Sequence, residues 1–137
     1  MLRHYLLDRP AGEQVLLIGY STGADVLPFI VNHLPEDLRA RVASVTLIAP
    51  GFDAEFQIRL TDWIRGSAPS GTRLLPEAER LSLPLLCVYG QGDQGVLCPA
   101  LPVERATTAL VGTGHHLGGE YEEIAERILS FTGSTAR

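Results

Sequence analysis

The residues with chemical potential in this sequence are one serine, one aspartate and a pair of histidines. Ser21 lies in Gly19-Tyr20-Ser21-Thr22-Gly23, a Gly-x-Ser-x-Gly pattern. A serine hydroxyl is a poor nucleophile until a base takes its proton, and the base needs a carboxylate to orient it and to stabilise the cation it becomes. Further along, "VYGQGD" supplies Asp93 and "GTGHHLGG" supplies His115 and His116. Serine, then acid, then histidine is the chain order of this triad where the nucleophile sits on a sharp strand-to-helix turn.

The pentapeptide alone is weak evidence: it arises by chance in roughly 7% of shuffled chains of this composition, and it could be no more than a tight turn. Its setting strengthens it. A buried strand over Val15 to Ile18 leads into it and a helix beginning near Thr22 leads out. On such a turn Gly19 and Gly23 are expected to be small, because side chains there would meet neighbouring backbone. The helix start directs its positive end at the site, and the Thr22 N–H is the expected oxyanion donor. His115, directly after Gly114, is assigned as the base, with His116 as the alternative. Asp25 lies inside the helix after the turn and is a less favoured acid, while Asp53, after the second strand, is held in reserve. His4 and His33 fall on predicted helices and read as surface or core residues.

These groups need elements that converge. Four apolar runs, "QVLLIG" (14–19), "VASVTLIAP" (42–50), "PLLCVYG" (84–90) and "RATTALVG" (105–112), each close on Gly or Pro and read as parallel strands. The first three are nearly continuous, as suits strands covered on both faces. Helical patterns alternate with them. "STGADVLPFIVNHL" places Ala24, Leu27, Ile30, Val31 and Leu34 on one face, with Pro28 expected to kink or shorten the helix. "PEDLRARV" opens a short helix. "GEYEEIAERILSF" places Tyr121, Ile124, Ala125, Ile128 and Leu129 together. The alternation predicts an α/β fold, a parallel sheet of about four strands flanked by helices, with Ser21, Asp93 and a histidine at its carboxyl edge. The segment Gly51 to Leu83 is less regular: "AEFQIRLTDWIRG" reads as an irregular strand and a short helix, and the rest as loop. It is expected to be either a lid or substrate-binding surface, or a solvated connector.

With 137 residues, 45% of them hydrophobic and 20% charged, the chain suits one globular domain. A net charge of -5 lacks the clustered cations that phosphate contacts need, so nucleic acid is not an expected partner. No run approaches the ~20 apolar residues that span a bilayer, and "MLRHYLLDRP" has neither anchor nor signal-peptide character. The adjacent histidines lack zinc-pair spacing and no glycine-rich nucleotide fingerprint is present, so neither metal nor cofactor is expected. Cys87 and Cys98 fit either two buried thiols in a reducing compartment or one disulfide in an oxidising one.

"LLIGYSTGADVLPFIVNHLP", "LLCVYGQGDQGVLCP" and "GTGHHLGG" together resemble the VirJ/AcvB family of bacterial virulence-associated proteins, a branch of the α/β-hydrolase superfamily. The block around Asp93 is less acidic than is usual there. The resemblance implies a periplasmic serine hydrolase acting on lipid or small-molecule esters such as aminoacylated phosphatidylglycerol. The periplasmic setting it implies would allow a Cys87 to Cys98 disulfide, which would tie the end of the third strand to the Asp93 loop. The rival reading is a non-catalytic binding module associated with virulence or type IV secretion, working at a secretion system or membrane surface. The strand leading to Ser21 begins by residue 15, and "MLRHYLLDRP" reads as the end of a preceding helix. The chain is therefore expected to be the carboxyl-terminal part of the fold. Earlier strands would carry the second oxyanion donor, worth ~10²- to 10³-fold in rate. A sheet edge left open by their absence favours a homo-oligomer.

Overall fold

Val42–Ile48 and Leu85–Gln91 are apolar almost throughout, and residues of that kind are stable only where both faces of a strand are covered. In the computed structural model, which describes residues 2–7, 9–10, 12–52 and 74–135, they form the two central strands of the sheet. The elements run α1 (Leu2–Leu7), β1 (Val15–Tyr20), α2 (Thr22–Asn32), α3 (Glu36–Arg39), β2 (Val42–Ile48), α4 (Leu74–Glu79), β3 (Leu85–Gln91), β4 (Thr107–Thr113) and α5 (Tyr121–Thr135). Single 3₁₀ turns lie at Cys98–Ala100 and Leu117–Gly119. The three described strand pairs are parallel and the order is β1-β2-β3-β4. The long segment read as a lid or connector falls mostly outside the described residues, as does Asp53.

The alternation of strand side chains builds a core on each face. Val45, Leu47, Leu85 and Cys87 pack with Ala24, Phe29 and Val31 of α2 and with Leu74 and Ala78 of α4. On the other face Ile48, Leu86, Val88 and Val111 pack with Ile124 and Ile128 of α5. Two expectations, for β1 and for the α5 stripe, need correction. Among the described residues β1 lies at the edge of the sheet and is only partly covered: Leu17 packs on one core and Leu16 on the other, but Ile18 is 51% exposed. Pro28 lies inside α2, which continues to Asn32, and its ring is fully buried, packing that offsets the lost backbone bond. On α5 the stripe is narrower than the spacing suggests: Ile124 and Ile128 are buried, whereas Tyr121, Ala125 and Leu129 face outward. No described helix is long and apolar enough to cross a membrane.

Candidate active site

Ser21 occupies the junction between β1 and α2 with φ 51° and ψ -120°. A non-glycine residue in that region is strained and persists only where its surroundings hold it. Here the Ser21 N–H donates to the Ile48 carbonyl at 2.8 Å, and the Ala24 and Asp25 N–H groups both donate to the Ser21 carbonyl. A serine before a helix commonly caps it, in extended backbone geometry and with its oxygen on the helix N–H groups. Ser21 makes no such cap. Its Oγ instead lies 2.8 Å from His115 Nε2.

The remainder of the relay comes from the next two strands. His115 Nδ1 lies 3.2 Å from Asp93 Oδ2. The Asp93 side chain is 8% exposed and that of His115 43%, so the carboxylate is shielded from water while the imidazole faces solvent. Asp93 follows β3 in a turn closed by its own N–H on the Gly90 carbonyl, 3.2 Å. Beyond it the chain returns across the sheet edge, where Val96 bridges to Gly51 and the Leu97 N–H donates to the Pro50 carbonyl at 2.8 Å. Cys98 follows and forms a disulfide with Cys87, Cα atoms 5.4 Å apart. Cys87 is in the middle of β3 rather than at its end, so the bridge anchors the acid segment to the buried body of the sheet.

Two backbone approaches fix the spacing. A Cβ on Gly19 would come within 2.5 Å of the Gly23 carbonyl oxygen, which ties the turn to glycine at that position. The matching expectation for Gly23 is corrected: nothing described lies within 4 Å of where its Cβ would be. Gly90 is the second close approach, since a Cβ there would collide with the Gly114 carbonyl, and it lets the acid turn and the histidine loop lie against each other. The Gly114 N–H then donates to the Gln91 carbonyl at 2.8 Å.

The other candidates stand apart from the relay. His116 Nδ1 lies 2.9 Å from the Tyr20 hydroxyl. Asp25 Oδ1 accepts the Gly51 N–H at 2.8 Å, tying the start of α2 to the loop after β2. His33 Nδ1 meets the Phe29 carbonyl at 2.8 Å, and His4 lies on α1. Thr22 is the first residue of α2, where an N–H has no partner within the helix. Among the described residues no three His, Cys, Asp or Glu side chains converge as a metal-ligand set. Tyr20, Gly90 and Asp25's tie to Gly51 had no signal in residue type or spacing.

A parallel sheet flanked by helices, with a strained serine between the first strand and its helix, has the architecture of part of an α/β-hydrolase fold, and solved structures agree. An esterase from Pyrococcus furiosus superposes with TM-score 0.61 at 13% identity, covering 96% of this chain and 58% of its own. A monoacylglycerol lipase from Paleococcus ferrophilus gives 0.58 at 18%, covering 90% and 70%. The thioesterase domain of the curacin biosynthetic pathway gives 0.60 at 13%, covering 94% and 70%. At these identities the likeness is one of fold. By sequence, residues 2–135 match the VirJ family, described as bacterial virulence protein, and the chain belongs to that family. No curated protein matches it.

Proposed function

We propose that this chain is a serine hydrolase of carboxylic esters, with Ser21 as nucleophile, His115 as general base and acid, and Asp93 orienting it. The observation that carries the reading is the Ser21 Oγ to His115 Nε2 contact at 2.8 Å, made by a serine in strained backbone that forgoes helix capping. Oγ attacks the ester carbonyl carbon as its proton passes to Nε2. The imidazolium is stabilised by Asp93, and the oxyanion faces the Thr22 N–H at the helix start. Collapse breaks the bond to the alcohol, which leaves with the proton from Nε2. Water then attacks the acyl-serine by the same proton path, releasing the acid and restoring Ser21.

Aminoacylated phosphatidylglycerol is the substrate class proposed for this site, met at a membrane surface in the periplasm. The disulfide supports an oxidising compartment. The half-exposed Ile18 on edge strand β1 supports a homo-oligomer, for which a single-chain mass by light scattering at micromolar concentration is the contrary result. The test of the chemistry is a fluorophosphonate probe with the adduct located by mass spectrometry. We expect one adduct, on Ser21, absent from Ser21→Ala. An unlabelled wild-type chain overturns the reading in favour of a binding module.

A further inference from the structure

The histidine loop is held firmly at its two ends and lightly in its middle. Gly114 is fixed by its N–H on Gln91, and Leu117 by a side chain buried in the core. His115 and His116 stand exposed between them. Apart from the Ser21 to His115 contact, the only described side-chain hydrogen bonds between β1 and this loop are made by Tyr20. Its hydroxyl lies 2.9 Å from His116 Nδ1 and 3.4 Å from the His115 carbonyl oxygen. The rings form one group, with centroids 6.1 Å apart for Tyr20 and His115 and 5.7 Å for His115 and His116.

One hydroxyl has one proton, so both contacts are met together in a single arrangement. His116 Nδ1–H donates to the Tyr20 oxygen, and the Tyr20 O–H donates to the His115 carbonyl. Tyr20 immediately precedes the nucleophile on a strand that ends in the strained turn. A brace from that hydroxyl to the His115 backbone therefore ties the base directly to the residue beside Ser21, rather than across the width of the sheet. We infer that Tyr20 and His116 are positioning residues that hold the His115 imidazole in line with Ser21 Oγ. This rests on the hydrolase reading above. It also gives the second histidine a role: His116 fixes the loop while His115 does the chemistry.

The test is a comparison of variants in the rate of fluorophosphonate labelling, separated into saturating rate and half-saturating concentration. Tyr20→Phe keeps the ring and removes both bonds. We expect the saturating rate to fall about tenfold, as small misplacements of a base do, with the half-saturating concentration unchanged. His116→Ala removes one of the two bonds and should lose no more than Tyr20→Phe, and the double variant should lose no more than Tyr20→Phe alone, because both contacts pass through one hydroxyl. His116→Asn, whose amide nitrogen occupies the place of Nδ1, should recover most of the rate lost in His116→Ala. An undiminished Tyr20→Phe rate, additive losses or no recovery with Asn overturns the brace. No adduct in the wild type overturns the hydrolase reading instead. A readout independent of labelling comes from long-range ¹H–¹⁵N spectra of the imidazoles. They should show His116 protonated on Nδ1 in the wild type and altered in Tyr20→Phe; a neutral His116 protonated on Nε2 overturns the arrangement.

Discussion

The two ends of the parallel sheet are built by different means. Strands run one way and their connecting helices return the other, so helix carboxyl termini gather at the sheet's amino end and helix amino termini at its carboxyl end. At the amino end, arginines close the chain. Arg41 donates to the carbonyls of Leu6, Pro10 and Glu13 at 3.4, 2.8 and 3.0 Å. Arg39 donates to those of Asn32 and Leu34, and Arg105 to those of Glu79 and Leu81. Each guanidinium sits where a helix presents its negative end. At the carboxyl end the backbone itself is unusual. All three described non-glycine residues with positive φ, Ser21, Ala49 and Leu117, lie there, as do all six positive-φ glycines. One end is neutralised and relaxed; the other is strained and gathers helix amino termini, the positive ends of their dipoles.

If that division is real, variants at the two ends separate rate from stability. The largest effect belongs to the carboxyl end. His115→Ala should slow fluorophosphonate labelling of Ser21 by about 10⁴-fold or more, with urea stability within about 1 kcal/mol of wild type because the side chain is half exposed. An equal loss of stability would erase the contrast between the ends. The disulfide joins the two regimes, since it roots the Asp93 segment in the core. Replacing both cysteines by alanine should cost about 3 kcal/mol in urea unfolding, from the 11-residue separation it closes, and should also slow labelling. Stability without a rate effect would show that the Gly90 turn alone holds the acid. At the amino end, Arg41→Ala should cost about 2 kcal/mol through three lost carbonyl bonds, while the labelling rate of the folded protein stays at the wild-type value.

The contrast between the ends also explains what could be read from the sequence. β2 and β3 were legible because burial on both faces demands unbroken apolar residues. β1 has the same composition, yet Ile18 is exposed: hydrophobicity marks a strand, whereas its place in the sheet is a long-range fact. On α5 the spacing that brings Ile124 inward brings Tyr121 and Leu129 only to the rim. The order Ser21, Asp93, His115 was legible because nucleophilic chemistry requires those types at strand ends. Of the two histidines, His115 was preferred from its place directly after Gly114, and it is the one whose Nε2 lies 2.8 Å from Ser21 Oγ; the contact His116 makes instead, with Tyr20, was not legible. Tyr20's contacts span 95 and 96 positions, and the arginine clamps at least five, with nothing in the intervening pattern to announce either.

The smallest effect tests the strained end most finely. Gly19 and Gly23 look equivalent in the motif, but only Gly19 is crowded. Gly23 lies in the first turn of α2 with ordinary backbone geometry and open space where a Cβ would project. Gly23→Ala should therefore stabilise the protein by about 0.5 kcal/mol in urea unfolding, through the lower entropy of the unfolded chain and better helix propensity. Gly19→Ala, by contrast, must displace backbone and should destabilise by about 2 kcal/mol. If Gly23→Ala were the more damaging of the two, the space beside the helix start would have to be filled in solution. The crowding that demands glycine on both sides of Ser21 would then come from that filling rather than from the turn itself.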